Sequence, residues 1–227
     1  NAGANAYNVA VGFEAGLNIT TGVENNLFGA LAGDSLTTGS YNVAFGKGAL
    51  TNEDTGSRNV AIGSRALNSL NYDGDGYNIA IGYDAGLNMS TGVQNTLIGG
   101  SAGNALTTGG YNVAIGVHAL STEDTGARNT AIGEGSLKTL NFDGNGYNTA
   151  VGYNSGHLIS TGTVNTIIGG LAGDALTTGA NNVALGTLAL SSETGGGKNV
   201  AIGYGSLELL NFNDDGNNVA VGYVAGQ

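Results

Sequence analysis

Asn59-Val60-Ala61-Ile62-Gly63-Ser64-Arg65-Ala66-Leu67 carries the pattern on which the rest of the chain is built. Its first five residues are Asn, any residue, a small or aliphatic residue, a large apolar residue and Gly. That motif starts at Asn8, Asn25, Asn42, Asn59, Asn78, Asn95, Asn112, Asn129, Asn148, Asn165, Asn182, Asn199 and Asn218. The steps run 17, 17, 17 and 19 residues, a set that occurs three times and defines a unit of 70. With the Asn as position 1, position 5 is Gly in all thirteen copies and position 8 is Ala or Ser. Position 9 runs Gly, Gly, Leu, Leu through each unit, as in Gly16, Gly33, Leu50 and Leu67.

A period of this length is too short for a helix pair or a propeller blade. The apolar segments have strand length rather than helix length. The pattern predicts an all-β fold, a parallel β-solenoid whose coils each hold two short strands and two turns. No such coil can bury a core alone, so each must stack on its neighbours. Thirteen coils would extend roughly 60 Å at ~4.8 Å per coil. The whole of residues 1–227 then forms one repetitive segment, with units 8–77, 78–147 and 148–217 and a further coil starting at 218. The chain begins at Asn1 rather than Met, in mid-repeat, and is expected to be a piece of a longer protein.

Side-chain facing follows from alternation along a strand. Position 4 (Val11, Phe28, Phe45, Ile62, Ile81) is always large and apolar and is expected to point into the coil, with position 2 beside it. Position 3 then faces outward. It is Ala10, Leu27, Ala44, Ala61 and so on, and it is never polar. A strand apolar on both faces is usually buried on both, so the position 3 column is expected to pack on another chain. The repeated Asn suits an amide ladder between coils, and the repeated Gly suits a corner with φ > 0 or with no room for a Cβ.

Composition narrows the function. The chain has 43 Gly with no Pro, Cys or Trp, which excludes collagen and any disulfide or thiolate metal site. Acidic residues outnumber basic ones 17 to 6, for a net charge of −11, which argues against nucleic acid and against anionic lipid. No apolar run approaches the ~18 residues of a membrane span.

The run N-V-A-I-G-x-x-A-L at Asn59 to Leu67, with near-copies at Asn112 to Leu120, Asn129 to Leu137 and Asn199 to Leu207, resembles the head repeats of trimeric autotransporter adhesins of the YadA type. The resemblance covers nearly the whole chain. It implies a left-handed parallel β-roll and a homotrimer in which three rolls pack together, and that packing would account for the apolar outer column. Two features depart from the family: its usual coil is shorter, and the regular 70-residue unit is unusual. Related long-coil repeats occur in phage tail fibres.

The best candidate site is an acidic corner. Each 19-residue coil carries a two-residue insertion, in Asn71-Tyr72-Asp73-Gly74-Asp75-Gly76, Asn141-Phe142-Asp143-Gly144-Asn145-Gly146 and Asn211-Phe212-Asn213-Asp214-Asp215-Gly216. The preceding coil carries Glu53 and Asp54, Glu123 and Asp124, or Glu193. Oxygen-only clusters with Gly suit Ca²⁺, so Asp73, Asp75, Glu53, Asp54, Asp143, Asn145, Glu123, Asp124, Asp214 and Asp215 are candidate ligands. An Asx-rich turn also forms with no metal, and neither the EF-hand nor the nonapeptide calcium spacing is present. Arg58, Arg128 and Lys198 stand nearby as charge partners.

Two tyrosine rows recur. Tyr83, Tyr153, Tyr204 and Tyr223 follow the Gly corner, with Phe13 in phase; Tyr7, Tyr41, Tyr77, Tyr111 and Tyr147 precede the ladder Asn. Such rows bind sugar rings or protein, or cap the ends of the solenoid core, and capping is the expectation. His118 and His157 do not recur at their phases. No nucleophile elbow, Walker loop or zinc-protease motif is present, and no acid breaks the periodicity as a catalytic residue would. The expectation is therefore a structural and adhesive fibre segment, not an enzyme. It would lie outside a cell and present repeated loops to a host surface or matrix ligand, protein or glycan, with no nucleic acid and no membrane contact. The alternative is the shaft or receptor-binding fibre of a phage tail on a virion. Two further readings are an ice-binding face, from the Thr column at Thr21, Thr38, Thr55, Thr91, Thr108, Thr125, Thr161 and Thr178, and a glycan hydrolase carried on a fibre.

Overall fold

The computed structural model describes residues 6–227. Those residues form a β-solenoid of thirteen parallel strands, each three residues long, with no helix. The chain divides into two compact units, residues 1–111 and 112–227. The first holds β1 (Val9–Val11), β2 (Asn26–Phe28), β3 (Val43–Phe45), β4 (Val60–Ile62), β5 (Ile79–Ile81) and β6 (Thr96–Ile98). The second holds β7 (Val113–Ile115), β8 (Thr130–Ile132), β9 (Thr149–Val151), β10 (Thr166–Ile168), β11 (Val183–Leu185), β12 (Val200–Ile202) and β13 (Val219–Val221). Within each unit every strand pairs in parallel with the next in sequence. Val9 lies beside Asn26, and Val60 beside Ile79.

Each coil has one strand, not the expected two. The second wall, such as Gly12 to Asn18, is a run of turns. Its short-range bonds (Ile19 N–H to Gly16 C=O, 3.2 Å) alternate with bonds to the next coil (Gly16 N–H to Ala32 C=O, 3.0 Å). The physical reason is φ. Positions 7 and 9 are left-handed in most coils, even where they hold Leu, as in Leu31 (+61°), Leu50 (+54°) and Leu67 (+48°). An extended strand cannot contain such residues.

The facing of the strand residues is the reverse of the expectation. Position 3 is the buried one: Leu27, Ala44, Ala61, Ala80, Leu97, Ala114 and Ile167 are all 0% exposed. Positions 2 and 4 look outward, and none of them is buried. The ladder Asn decides this. Asn25, Asn42, Asn78 and Asn95 are fully buried at position 1, and alternation then places position 3 inward and positions 2 and 4 outward. The core has room for Ala at positions 3 and 8 and for one or two larger side chains at positions 9 and 12, such as Leu36, Leu50, Leu67, Leu70, Met89 and Leu106.

Core volume also accounts for the Gly, Gly, Leu, Leu order. The large position 3 residue of the second coil, Leu27, puts Cδ1 2.8 Å from where a Cβ on Gly16 would lie and Cδ2 3.0 Å from the same point on Gly33. Leu97 and Ile167 do the same at Gly103 and Gly173. Where position 3 is Ala, as in Ala44 and Ala61, Leu50 and Leu67 fill the space from position 9.

An amide ladder ties coil to coil. The Oδ1 of Asn8 accepts the backbone N–H of Asn25 (2.8 Å), Asn25 that of Asn42 (3.0 Å) and Asn42 that of Asn59 (2.9 Å). The same chain runs from Asn112 to Asn218 in the second unit. Each amide nitrogen generally donates to a Gly carbonyl of its own coil, as Asn25 does to Gly39 (2.9 Å). At the corner, Gly29 has φ +134° and a Cβ there would fall 2.6 Å from the backbone of Gly46. Both reasons expected for the invariant Gly therefore hold together.

Candidate functional site

At the acidic corner the structure separates the carboxylates instead of pooling them. Glu53 sits at position 12, where neighbouring coils place Leu36 and Leu70, and is fully buried. Its carboxylate accepts the backbone N–H of Gly56 (2.7 Å) and, from the next coil, of Tyr72 (3.2 Å). Glu123 binds Gly126 and Phe142 in the same way, and Glu193 binds Gly196 and Phe212. In a regular pair of coils those turn N–H groups reach a carbonyl of the next coil, as Gly22 reaches Thr37. The two-residue insertion moves that carbonyl away, and the buried Glu replaces it. Burial pushes the Glu53 and Glu123 carboxyls above their ordinary range, a rise opposed by the backbone N–H groups they accept.

Most of the other acids are committed elsewhere. Asp73 accepts the Thr55 hydroxyl (2.5 Å) and Asp143 that of Thr125 (2.6 Å). Asp75 pairs with Arg58, and Asp215 with Lys198 (2.5 Å). Asn145 accepts from Arg128 (3.0 Å). Asp54 and Asp124 accept the next residue's N–H, Thr55 (2.7 Å) and Thr125 (2.8 Å). Asp214 is exposed. No group of three or more His, Cys, Asp or Glu among the described residues comes together to hold a metal ion. The buried Glu of each corner repairs the backbone ladder; the signal for it was Glu at a phase otherwise Leu, Ile or Met.

The tyrosine rows do not cap the core. Tyr41 (46%), Tyr77 (52%) and Tyr111 (47%) stand exposed at one corner, and Tyr83, Tyr153, Tyr204 and Tyr223 are exposed at another. Tyr204 and Tyr223 stack at 5.5 Å. Arg58 lies between the rings of Tyr41 and Tyr77, its Cζ 5.2 and 5.7 Å from their centroids. A cleft of about 430 Å³ opens beside Tyr77 and Gln94. Of the two histidines, His118 is exposed and His157 Nδ1 lies 3.1 Å from the Gly135 carbonyl.

A further feature is the outer strand face. In the first unit Phe45 is 56% exposed, with Val43, Val60, Ile62, Ile81 and Ile98 partly exposed on the same strand face; in the second unit Ile168 is 42% exposed. Neighbouring coils align these columns by register, so Phe28 meets Phe45 with centroids 5.6 Å apart. Comparison with family models, curated proteins and solved structures returned no match.

Proposed function

We propose that this chain is a segment of a stiff homotrimeric fibre, structural and adhesive, that works outside a cell and presents its repeated corners to a surface ligand. One observation carries the reading: in each unit an apolar column at position 4, flanked at position 2 by Val, Ile or Thr except at Asn26, runs along the outer face of the strands. Contiguous exposed apolar surface on this scale marks an interaction site, and a periodic one suits a periodic partner, of which an identical chain is the simplest. The sequence resemblance to YadA-type heads points to three copies and to left-handed coils, and the Asn spacing gives those coils 17 and 19 residues. The contact columns in this reading are positions 2 and 4, not position 3. A fibre on a virion tail would use the same geometry.

Light scattering on the chain, with and without EDTA, tests this. The expected mass is three chains, unchanged by EDTA because the corner carboxylates already have protein partners. Phe45→Ser with Ile62→Ser and Ile81→Ser should reduce it to one chain while the far-UV spectrum persists. A wild-type monomer would overturn the proposal.

A further inference from the structure

The residue preceding each ladder Asn forms a second column with a rule of its own. In the first unit it runs Tyr7, Glu24, Tyr41, Arg58, Tyr77, Gln94, Tyr111. All seven have φ between +48° and +62°, so the same backbone geometry presents each side chain at the same corner. Successive members are bonded in register, as Tyr41 N–H to Val23 C=O, Arg58 N–H to Ser40 C=O and Gln94 N–H to Gly76 C=O. Tyrosines therefore alternate with polar residues, and consecutive rings stand two coils apart, about 9.5 Å.

That spacing leaves three gaps between rings, and the chain fills the middle one itself. Arg58 reaches between Tyr41 and Tyr77 and sits near the midpoint of the two rings, its charge held by Asp75. A guanidinium fits such a slot because it is flat, cationic and weakly hydrated, and both tyrosine faces attract it. The flanking gaps lie over Glu24 and Gln94. Gln94 is shorter than Arg, and the cleft of about 430 Å³ lies beside it and Tyr77. Glu24 is exposed and stands as an acidic residue in the column between Tyr7 and Tyr41. The two gaps are one 70-residue unit apart, four coils or about 19 Å.

We propose that the gaps over Glu24 and Gln94 receive arginine side chains from a basic partner polypeptide, each guanidinium taking the place that Arg58 takes in the gap between them. The net charge of −11 favours such a partner. This names the ligand chemistry of the adhesive surface and rests on that reading only in supposing that the fibre has a protein ligand.

The spacing supplies a stringent probe. A polyproline II helix rises ~3.1 Å per residue, so two arginines separated by five prolines stand about 19 Å apart. Arg-(Pro)5-Arg should bind the full chain saturably, followed by tyrosine fluorescence. It should bind at least tenfold more tightly than Arg-Pro-Arg, which reaches only one gap, and than Lys-(Pro)5-Lys. Glu24→Arg with Gln94→Arg fills both gaps from within, as Arg58 does, and should weaken binding at least tenfold with no loss of melting temperature. Asn52→Arg with Asn88→Arg adds positive charge at exposed positions of another phase and should bind the peptide within a few-fold of the wild type. Unchanged binding by the Glu24→Arg, Gln94→Arg variant would overturn the proposal. So would displacement of the peptide by a neutral chitin hexasaccharide at similar concentration, which would make the column a sugar platform. The titration is independent of the assembly mass, so failure here and failure of the trimer are separate results.

Discussion

The Glu53 carboxylate accepts the backbone N–H of Tyr72 from the following coil at 3.2 Å, and thereby carries the inter-coil ladder across the point where two extra residues interrupt it. The same oxygens close the Glu53 turn through Gly56 (2.7 Å). Removing them leaves two N–H groups without an acceptor, at ~1–3 kcal/mol each. Glu53→Leu restores the apolar residue usual at that phase and should nevertheless lower stability by about 2–6 kcal/mol for the pair of donors. Glu53→Gln keeps one acceptor oxygen and should cost roughly half as much. Thermal melts of the two variants, side by side, give the order. A Leu variant as stable as the wild type would reduce the carboxylate to a passenger.

Protonation follows from the same burial. Glu53 and Glu123 have carboxyls raised above the usual range, first by desolvation, with the neighbouring Asp54 and Asp124 adding to the rise. A raised folded-state value means that the native chain holds these protons more tightly than the unfolded chain does. Their contribution is therefore fully present below the ordinary carboxylate range and is lost as pH rises through the raised value. Glu53→Gln with Glu123→Gln should show a flatter dependence of melting temperature on pH from the ordinary Glu range upward. An unchanged slope would mean that other groups carry it.

The corner glycine leaves no room for a side chain. Gly29→Ala must place a Cβ 2.6 Å from the Gly46 backbone at φ +134°. Strain of about 1–3 kcal/mol and overpacking of about 1–3 kcal/mol add together there. Denaturant unfolding should register a loss of roughly 2–6 kcal/mol on those terms, or no folded protein at all. Gly100→Ala, where a Cβ meets nothing within 4 Å, serves as the control and should be close to neutral.

Strain at non-glycine residues points the opposite way. Val164 is half exposed and has φ +58°, a conformation that costs an L-residue about 1–2 kcal/mol and costs a β-branched one most. Val164→Asn keeps the N–H bond to Gly146 (2.8 Å) and should stabilise by about 1 kcal/mol. A lower melting temperature would show that the valine methyls contribute more than the backbone loses.

The period alone determines much of this protein. Invariant Gly at position 5, Asn at position 1 and small residues at position 8 are constraints that every coil must meet, so they stand out in one dimension. They specify a stack of parallel strands, an amide ladder and a corner without a Cβ, and all three are present. The tertiary structure alone decided which side of each strand is the inside. Size suggested that Phe45 and Ile62 were core and Ala44 and Ala61 surface, but the coil takes the buried Asn and its same-face neighbour inside and leaves the large residues of position 4 outside. Alternation tells a reader that two faces differ, and only the closure of the coil assigns them. Glu53 likewise looked like one acid among several until the missing carbonyl beside Gly56 and Tyr72 gave it a task. That task depends on atoms 19 residues apart meeting across the stack, a relationship fixed by three-dimensional register and not by composition.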